Sequence, residues 1–247
     1  MDRGNTKISE EFGLSSESEA VKEYLRMNRD IMYSNYPLIA DEIIMKPNQE
    51  KSCILDIGTG LGSLAREFAK RLPACRVYGI DISGEMLTEA HIINTSEGIS
   101  NLTLMLSDIN HMAFEDNVFD VIVSFGVLHH LSTLTRAFSE IRRVLKERGE
   151  AFLYDLRKNP PQEIVTEIAD GMSPSHKRCF LESVKEGLDV SYIEAVVQGL
   201  GVTRYSLSYP TYSRATVVKN KSILQAQASR FLGKRFNQLF VMIYLQK

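Results

Sequence analysis

The residues best suited to binding chemistry are an aspartate and a run of alternating glycines. Asp56 precedes the turn Gly58-Thr59-Gly60-Leu61-Gly62. Glycines allow the backbone to turn tightly and to approach a ligand with no Cβ in the way. A helix that begins behind this turn offers unpaired N–H groups to a negative atom such as a carboxylate oxygen. We therefore predict that Asp56 and the turn bind a cofactor; a tight strand-to-helix turn with no ligand is the alternative.

The spacing of the glycines distinguishes between two kinds of cofactor. A dinucleotide-binding turn has the pattern G-x-G-x-x-G, which requires a glycine five residues after Gly58. The chain has Ser63 at that position, and its third glycine comes one residue early, at Gly62. The turn is therefore a poor fit for the pyrophosphate of a nicotinamide dinucleotide.

Two further carboxylates follow predicted strands. Asp81 lies 21 residues after Gly60, where a carboxylate is placed to accept hydrogen bonds from both hydroxyls of a ribose. Aspartate is also a common helix cap, but together with the glycine turn we favour ribose binding. Asp108 follows the next strand and is placed to accept a bond from the exocyclic amine of a purine; a solvated turn residue is the alternative.

Short apolar strands, with amphipathic helical patterns between them, must position these residues. We predict strands over residues 53–57, 77–81, 102–106, 119–123 and 151–154. The helix after the fourth strand is expected to stop near Gly149. This alternation predicts a doubly wound α/β fold, with a parallel sheet covered by helices on both faces. Two later strands, through Tyr205 and over Leu239–Leu245, are able to pair antiparallel at the sheet edge.

Helical patterns flank this core on both sides. Apolar residues recur at helical spacing over 17–32, and a second short helix is predicted from Leu38 to Met45. Ser191 has the form of a capping box and is expected to start a helix. A further helix is predicted from Ser222 to Leu232.

Composition excludes several classes of protein. The 247 residues are 44% hydrophobic and carry a net charge of -2, which is typical of a globular chain and gives no overall basic field for nucleic acid. Three widely separated cysteines argue against a disulfide framework and a thiolate zinc site, and we predict no metal. Leu239–Leu245 is too short for a membrane helix and no signal-peptide core is recognised, so we expect a cytoplasmic location.

Five motifs, in this order and at these separations, resemble the class I S-adenosylmethionine-dependent methyltransferases. They are Ile54–Gly62, Gly79–Leu87, Ser107–Ile109, Phe119–Ser124 and Arg143–Lys146. The resemblance is clear over residues 50–156 and looser in the final strands. It implies a mostly parallel seven-stranded sheet with an antiparallel C-terminal edge hairpin and helices on both faces.

The same resemblance implies one domain over residues 1–247, built from four segments. These are an N-terminal helical lid (1–48), a cofactor-binding core (50–156), a helical substrate-side segment (157–200) and C-terminal strands that complete the sheet (201–247).

The resemblance also implies which residues contact S-adenosylmethionine. The glycine turn meets its methionyl part, Asp81 binds its ribose and Asp108 bonds the adenine amine. Other implied contacts are Ile82 and Met86 beside the adenine, the Ile109 backbone N–H at a ring nitrogen, Ser124 and Phe125 near the sulfonium, and Tyr36 of the lid at the methionyl carboxylate or the substrate.

Adjacent histidines after the fourth strand offer a general base. Histidine titrates in the useful pH range, and His129 is our candidate for a base that contacts the substrate. Packing or capping against the neighbouring helix remains an open alternative for either His129 or His130. Ser124-Phe125-Gly126-Val127 lacks the Asn/Asp-Pro-Pro-aromatic motif common in family members that methylate nucleic-acid bases. It resembles the branch that acts on small molecules, including the quinone-biosynthesis type.

We therefore expect methyl transfer from S-adenosylmethionine to a small-molecule acceptor, with neither nucleic acid nor membrane as partner. Two alternatives remain open at this stage. One is a nicotinamide-dependent oxidoreductase, which Ser63 disfavours. The other is a non-catalytic module that binds adenosylmethionine.

Overall fold

A seven-stranded mixed sheet forms the centre of the molecule. In a computed structural model, the described residues are 36–44, 52–208 and 239–247. The strand order is β3-β2-β1-β4-β5-β7-β6. The strands are β1 (Cys53–Ile57), β2 (Arg76–Asp81), β3 (Leu102–Leu106), β4 (Phe119–Phe125), β5 (Leu145–Leu156), β6 (Arg204–Ser208) and β7 (Phe240–Gln246).

Strand directions confirm the predicted mostly parallel sheet with an antiparallel C-terminal edge. Strands β1 to β5 are mutually parallel, whereas β7 runs antiparallel to both β5 and β6. The chain order reverses between β1 and β4, and the carboxyl ends of parallel strands at such a reversal form a crevice that binds ligands. The glycine turn and the stretch that contains His129 leave the sheet at this point.

Helices cover both faces of the sheet, as the sequence pattern predicts. Among the described residues they are α1 (Tyr36–Ile44), α2 (Ser63–Arg71), α3 (Gly84–Ser96), α4 (Leu134–Val144), α5 (Gln162–Asp170), α6 (Pro174–Lys185) and α7 (Val190–Gly199), with a 3₁₀ turn at Leu128–His130. One buried cluster joins α4 and α7 to the sheet, and a second joins α1, α2 and α5 to the opposite face. Ile54 belongs to the second cluster and Leu55 to the first, so alternate residues of β1 serve both cores.

The end of α4 is a correction to the sequence prediction. The helix ends at Val144 and β5 begins at once at Leu145, well before Gly149. Leu145 is 1% exposed and pairs with Phe119, after which the register shifts. The backbone around Gly149 bonds to the end of the chain, because Arg148 N donates to Lys247 O. Burial of Leu145 and this pairing end the helix before the glycine is reached.

The start of α7 is a second correction. Asp189, not Ser191, is the N-cap, and its Oδ1 accepts bonds from Ser191 N at 3.0 Å and Ser191 Oγ at 2.6 Å. Because the Ser191 hydroxyl itself donates to this carboxylate, the cap of α7 is Asp189.

Other sequence predictions differ in their outcomes. The short helix predicted from Leu38 to Met45 is confirmed as α1. The helices predicted over 17–32 and from Ser222 to Leu232 lie outside the described residues. Within the described ranges, no helix combines the length and apolar character needed to cross a membrane.

Candidate functional site

The glycine turn adopts a conformation that side chains rarely allow. Gly58, Gly60 and Gly62 have φ angles of 67°, 53° and 73°. A Cβ at Gly58 would collide with Val127, because the turn packs directly against the loop after β4. A Cβ at Gly60 would meet no described atom within 4 Å. The turn is therefore packed on one side and open at Gly60, where a ligand can approach the backbone.

Asp56 lies beneath this turn. Asp56 is 2% exposed, and its Oδ2 accepts a hydrogen bond from Thr59 Oγ1 at 2.7 Å. Burial raises the pKa of Asp56 to about 7, although the bonds from Thr59 and from the Ala65 backbone oppose the rise. Thr59 makes a second hydrogen bond to the sheet, in which its N–H donates to Ile80 O at 2.9 Å. Asp56 thus holds the turn against the sheet.

Asp81 joins the end of β2 to the glycine turn. Its Oδ2 accepts a bond from Gly60 N at 2.7 Å, and its Oδ1 accepts one from Ser83 N at 2.9 Å. Burial raises the pKa of Asp81. Each carboxylate oxygen has a further lone pair for a ribose hydroxyl. The structure therefore brings together the two features that the sequence analysis assigned to one cofactor.

Asp108 follows on the neighbouring strand. Asp81 pairs with Leu106, and Ser107 N donates to Asp81 O at 2.9 Å. Asp108 Oδ1 accepts bonds from Asn110 N at 2.8 Å and Asn110 Nδ2 at 3.0 Å. These bonds orient the carboxylate at the same edge of the sheet as Asp81.

The apolar residues assigned to the adenine differ in exposure. Met86 and Ile109 are each 7% exposed, whereas Ile82, which follows Asp81 directly, is 36% exposed. Met86 is fixed in the first turn of α3, where its N–H donates to Ser83 Oγ at 3.3 Å. An exposed apolar residue beside a carboxylate is suited to contact a flat ring.

Ser124, Phe125 and Tyr36 meet at the end of β4. Ser124 is 1% exposed, and its Oγ donates to Ile57 O at 3.0 Å, which fastens the ends of β4 and β1 together. The rings of Phe125 and Tyr36 pack edge to face, with centroids 5.6 Å apart. Arg71 anchors the helix of Tyr36, because its Nη1 lies 2.6 Å from Asp41 Oδ1. The structure thus places Tyr36 beside Phe125, which is one of the two residues predicted to lie near the sulfonium of the cofactor.

His129 forms a pair with a residue that the sequence analysis missed. Its Nδ1 lies 2.6 Å from Oδ1 of Asp155, which is fully buried. Asp155 also accepts bonds from the backbone N–H groups of Val127, Leu128 and Leu156 at 3.0, 2.6 and 2.7 Å. The sequence did offer a signal for Asp155, because it is an aspartate near the end of the apolar strand β5. The carboxyl ends of parallel strands meet at the site.

An open cleft of about 650 Å³ lies beside His129. Leu131, Leu134, Leu188, Lys185 and Tyr192 contribute to its walls. One wall is fixed by the backbone, because Leu188 N donates to Leu156 O and Lys158 N donates to Leu188 O, both at 2.8 Å. The volume is within the range of small-molecule sites.

The described residues fit an adenosyl cofactor with an amino-acid tail. Open space faces Gly60, and Asp81 and Asp108 present acceptors on adjacent strand ends. Hydroxyls and an exocyclic amine are the donors that such acceptors bind. Within the described ranges, no group of three or more His, Cys, Asp or Glu side chains is arranged to hold a metal ion.

Comparison with known proteins gives a family match and several relatives. Residues 54–149 match the family described as "Methyltransferase domain". The chain is 37% identical over 100 residues to malonyl-[acyl-carrier protein] O-methyltransferase of Geobacter sulfurreducens. This match covers 40% of this chain and 37% of that protein. The chain is also 33% identical over 116 residues to demethylmenaquinone methyltransferase of Thermotoga maritima, and this match covers 47% of each protein.

A solved structure has a similar fold. The plantazolicin methyltransferase BamL, in complex with a triazolic desmethylPZN analog and SAH, has a TM-score of 0.75 and 14% identity, and the match covers 99% of this chain and 95% of that one. The chain spans 37% and 47% of the length of the two curated relatives named above. Together, the family match over residues 54–149 and the sheet topology show that this part of the chain is a methyltransferase domain.

Proposed function

We propose that this protein transfers a methyl group from S-adenosylmethionine to a small-molecule acceptor. The observation that carries the proposal is the 2.7 Å bond from Gly60 N to Asp81 Oδ2. It joins the open glycine turn to a carboxylate at the neighbouring strand end. One surface therefore offers backbone for an amino-acid tail and acceptors for a ribose.

The cofactor supplies an activated methyl group on a sulfonium, so the chemistry needs no covalent intermediate with the protein. The chain's own task is to position two reactants, which contributes to rate through orientation. Asp81 and Asp108 orient the nucleoside end, and the glycine turn receives the methionyl end. Tyr36 and Phe125 contribute apolar surface that excludes water from the reacting end.

His129 is the proposed general base for an acceptor that carries a proton. The Asp155 carboxylate favours the tautomer with the proton on Nδ1, because only an N–H can donate to it at 2.6 Å. The neutral ring then presents Nε2 as its acceptor nitrogen. His129 lines the cleft and its Nε2 is buried, so the acceptor would have to displace part of the cleft wall to reach this nitrogen.

A small-molecule acceptor is favoured by the cleft and by the relatives. The cleft has room for a metabolite-sized molecule. The two named relatives are, by their names, enzymes that methylate a malonyl group on acyl carrier protein and demethylmenaquinone. Neither relative is named for a nucleic-acid acceptor.

Calorimetry with two cofactor analogues tests the proposal. We expect S-adenosylhomocysteine to bind and NADH to give no signal. Tight binding of NADH without S-adenosylhomocysteine would favour the oxidoreductase instead.

A transfer assay then tests catalysis. Cofactor carrying a labelled methyl group is incubated with the protein and a metabolite extract, and we expect label in a small molecule. If the folded, cofactor-loaded protein labels nothing, a non-catalytic binding module is the better account.

A further inference from the structure

Arg66 is a buried arginine to which the proposed reaction assigns no role. It lies on α2 and is 5% exposed. A buried guanidinium is costly unless its N–H groups are paired. In the sequence it falls between the apolar residues of an amphipathic helix, a position that gives no signal of a role in binding.

The partners of Arg66 surround the glycine turn. Its Nη1 donates to the Leu61 carbonyl oxygen at 2.5 Å and to Asn94 Oδ1 at 3.3 Å. Its Nη2 donates to Ser63 Oγ at 3.2 Å, and its Nε lies 3.4 Å from Glu97 Oε2. The planar guanidinium therefore links the turn and the start of α2 to α3.

The bond to Leu61 reaches the middle of the glycine turn. Leu61 lies between Gly60 and Gly62, and glycines lose more backbone freedom on ordering than any other residue. A Cβ at Gly62 would lie 3.2 Å from Arg66 Nη1, so the missing side chain also makes room for the guanidinium. The arginine fixes the carbonyl of the one residue between the two glycines.

We propose that Arg66 is a positioning residue that holds the glycine turn ready for the amino-acid end of S-adenosylmethionine. This inference rests on the proposed function. It predicts a selective defect, in which loss of Arg66 weakens ligands that reach the turn more than ligands that stop at the nucleoside. General damage to the fold would weaken both kinds of ligand alike.

Two ligands separate these outcomes. S-adenosylhomocysteine has the amino-acid tail, whereas 5′-methylthioadenosine has the same nucleoside and lacks that tail. For Arg66→Met, calorimetry should show about tenfold weaker binding of S-adenosylhomocysteine, with a change of less than about threefold for 5′-methylthioadenosine. Arg66→Lys keeps the positive charge but lacks the several planar N–H donors of the guanidinium. Its affinity for S-adenosylhomocysteine should lie between those of Arg66→Met and the wild type.

Arg142→Met is the matched control, on α4. Arg142 is exposed and its Nη1 donates to a backbone carbonyl, that of Leu200 at 2.7 Å, at the end of α7 and away from the glycine turn. This control should leave the ratio of the two affinities unchanged. Hydrogen exchange supplies a readout without ligand, because a peptide spanning residues 58–62 should exchange faster in Arg66→Met than in the control.

The outcomes divide clearly. Equal losses for both ligands, or an unchanged affinity for S-adenosylhomocysteine, would overturn the positioning role. If Arg66→Met does not fold, Arg66→Lys decides by the same ratio. A wild-type protein that binds neither ligand would remove the proposed function and this inference with it, a result distinct from a binding wild type with an unaffected variant.

Discussion

His129 Nδ1 lies 2.6 Å from Oδ1 of Asp155, a carboxylate that is completely buried and accepts three backbone hydrogen bonds. Those backbone bonds come from both sides of the site, because Val127 and Leu128 follow β4 whereas Leu156 ends β5. The orientation of the histidine ring is therefore set by the junction of two strands. A ring held in one orientation suits the proton transfer that we propose for His129.

We expect His129→Gln to separate catalysis from cofactor binding. Methyl transfer to the acceptor found in the extract should fall by about 10²–10⁴-fold, because the general base is lost. Affinity for S-adenosylhomocysteine should stay near the wild-type value. The free energy of unfolding should fall by about 1–2 kcal/mol, since Asp155 keeps its backbone donors.

His130→Gln is the neighbouring control. The rings of His129 and His130 have centroids 3.9 Å apart, but it is His129 that lies 2.6 Å from Asp155, whereas His130 Nδ1 lies 4.0 Å from Glu186. A smaller loss of rate is expected for His130→Gln. A larger loss would transfer the role of base to His130, and equal wild-type rates in both variants would remove the base from the mechanism.

Gly60→Ala should damage the site far more than the fold. Gly60 has a φ of 53°, and an alanine in this region costs about 1–2 kcal/mol. Its Cβ would meet no described atom within 4 Å, so no clash adds to this strain. The methyl group would occupy the space proposed for the cofactor. We expect a modest loss of thermal stability and a large loss of S-adenosylhomocysteine affinity, measured by calorimetry.

Gly98→Ala is a control with matched backbone strain. Gly98 has a φ of 67°, and a Cβ there also meets nothing within 4 Å, but the residue follows α3 rather than β1. Stability should fall as it does in Gly60→Ala, with S-adenosylhomocysteine affinity unchanged. If both variants keep full affinity, the open face at Gly60 is not part of the cofactor site.

The sequence was sufficient for the arrangement of the sheet. Runs such as Cys53–Ile57 and Val121–Val123 are buried on both faces, and only a sheet covered by helices on both sides produces such continuous apolar strands. The end of α4 was not predictable in the same way. It depends on the pairing of Leu145 with Phe119, a tertiary contact that local helix signals do not contain.

The binding residues were easier to find than the residues that hold them. The glycine turn, Asp81 and Asp108 follow short predicted strands, and the parallel topology brings such positions together. The roles of Asp155 and Arg66 could not be predicted in this way, because they depend on partners that are distant in the chain. Asp155 meets His129 26 residues away, and Arg66 meets Asn94 28 residues away.

Asp81→Ala should weaken the cofactor complex strongly. The variant loses charge-assisted bonds to the ribose and also the acceptor for Gly60 N, and both losses act in the same direction. We expect a loss on the order of 2–3 kcal/mol in binding free energy for S-adenosylhomocysteine. Calorimetry measures this change directly.

Asp116→Ala is a suitable control for the lost charge. Asp116 is an exposed partner of Arg143 at 2.9 Å, with a side-chain exposure of 68%. A surface ion pair of this kind contributes little. An Asp81→Ala protein that binds as well as Asp116→Ala would show that the ribose is bound elsewhere.

Asp56 should make the stability of the protein depend on pH in an unusual direction. Burial raises its pKa from 3.8 to about 7 in the folded state, so the fold favours the protonated carboxyl. The contribution of this group is therefore fully present below about pH 4 and is lost as the pH rises towards about 7. Most carboxylates with depressed folded-state pKa values act in the opposite sense.

Asp56→Asn isolates this contribution, because other titrating groups are common to both proteins. Asparagine keeps an acceptor for the Thr59 hydroxyl and cannot ionise. Urea unfolding at a series of pH values should show the variant gaining about 2–4 kcal/mol relative to wild type between pH 4 and pH 7, with little further change above pH 7. A constant difference across this range would mean that Asp56 titrates alike in the folded and unfolded chain, and that the carboxylate beneath the glycine turn is solvated.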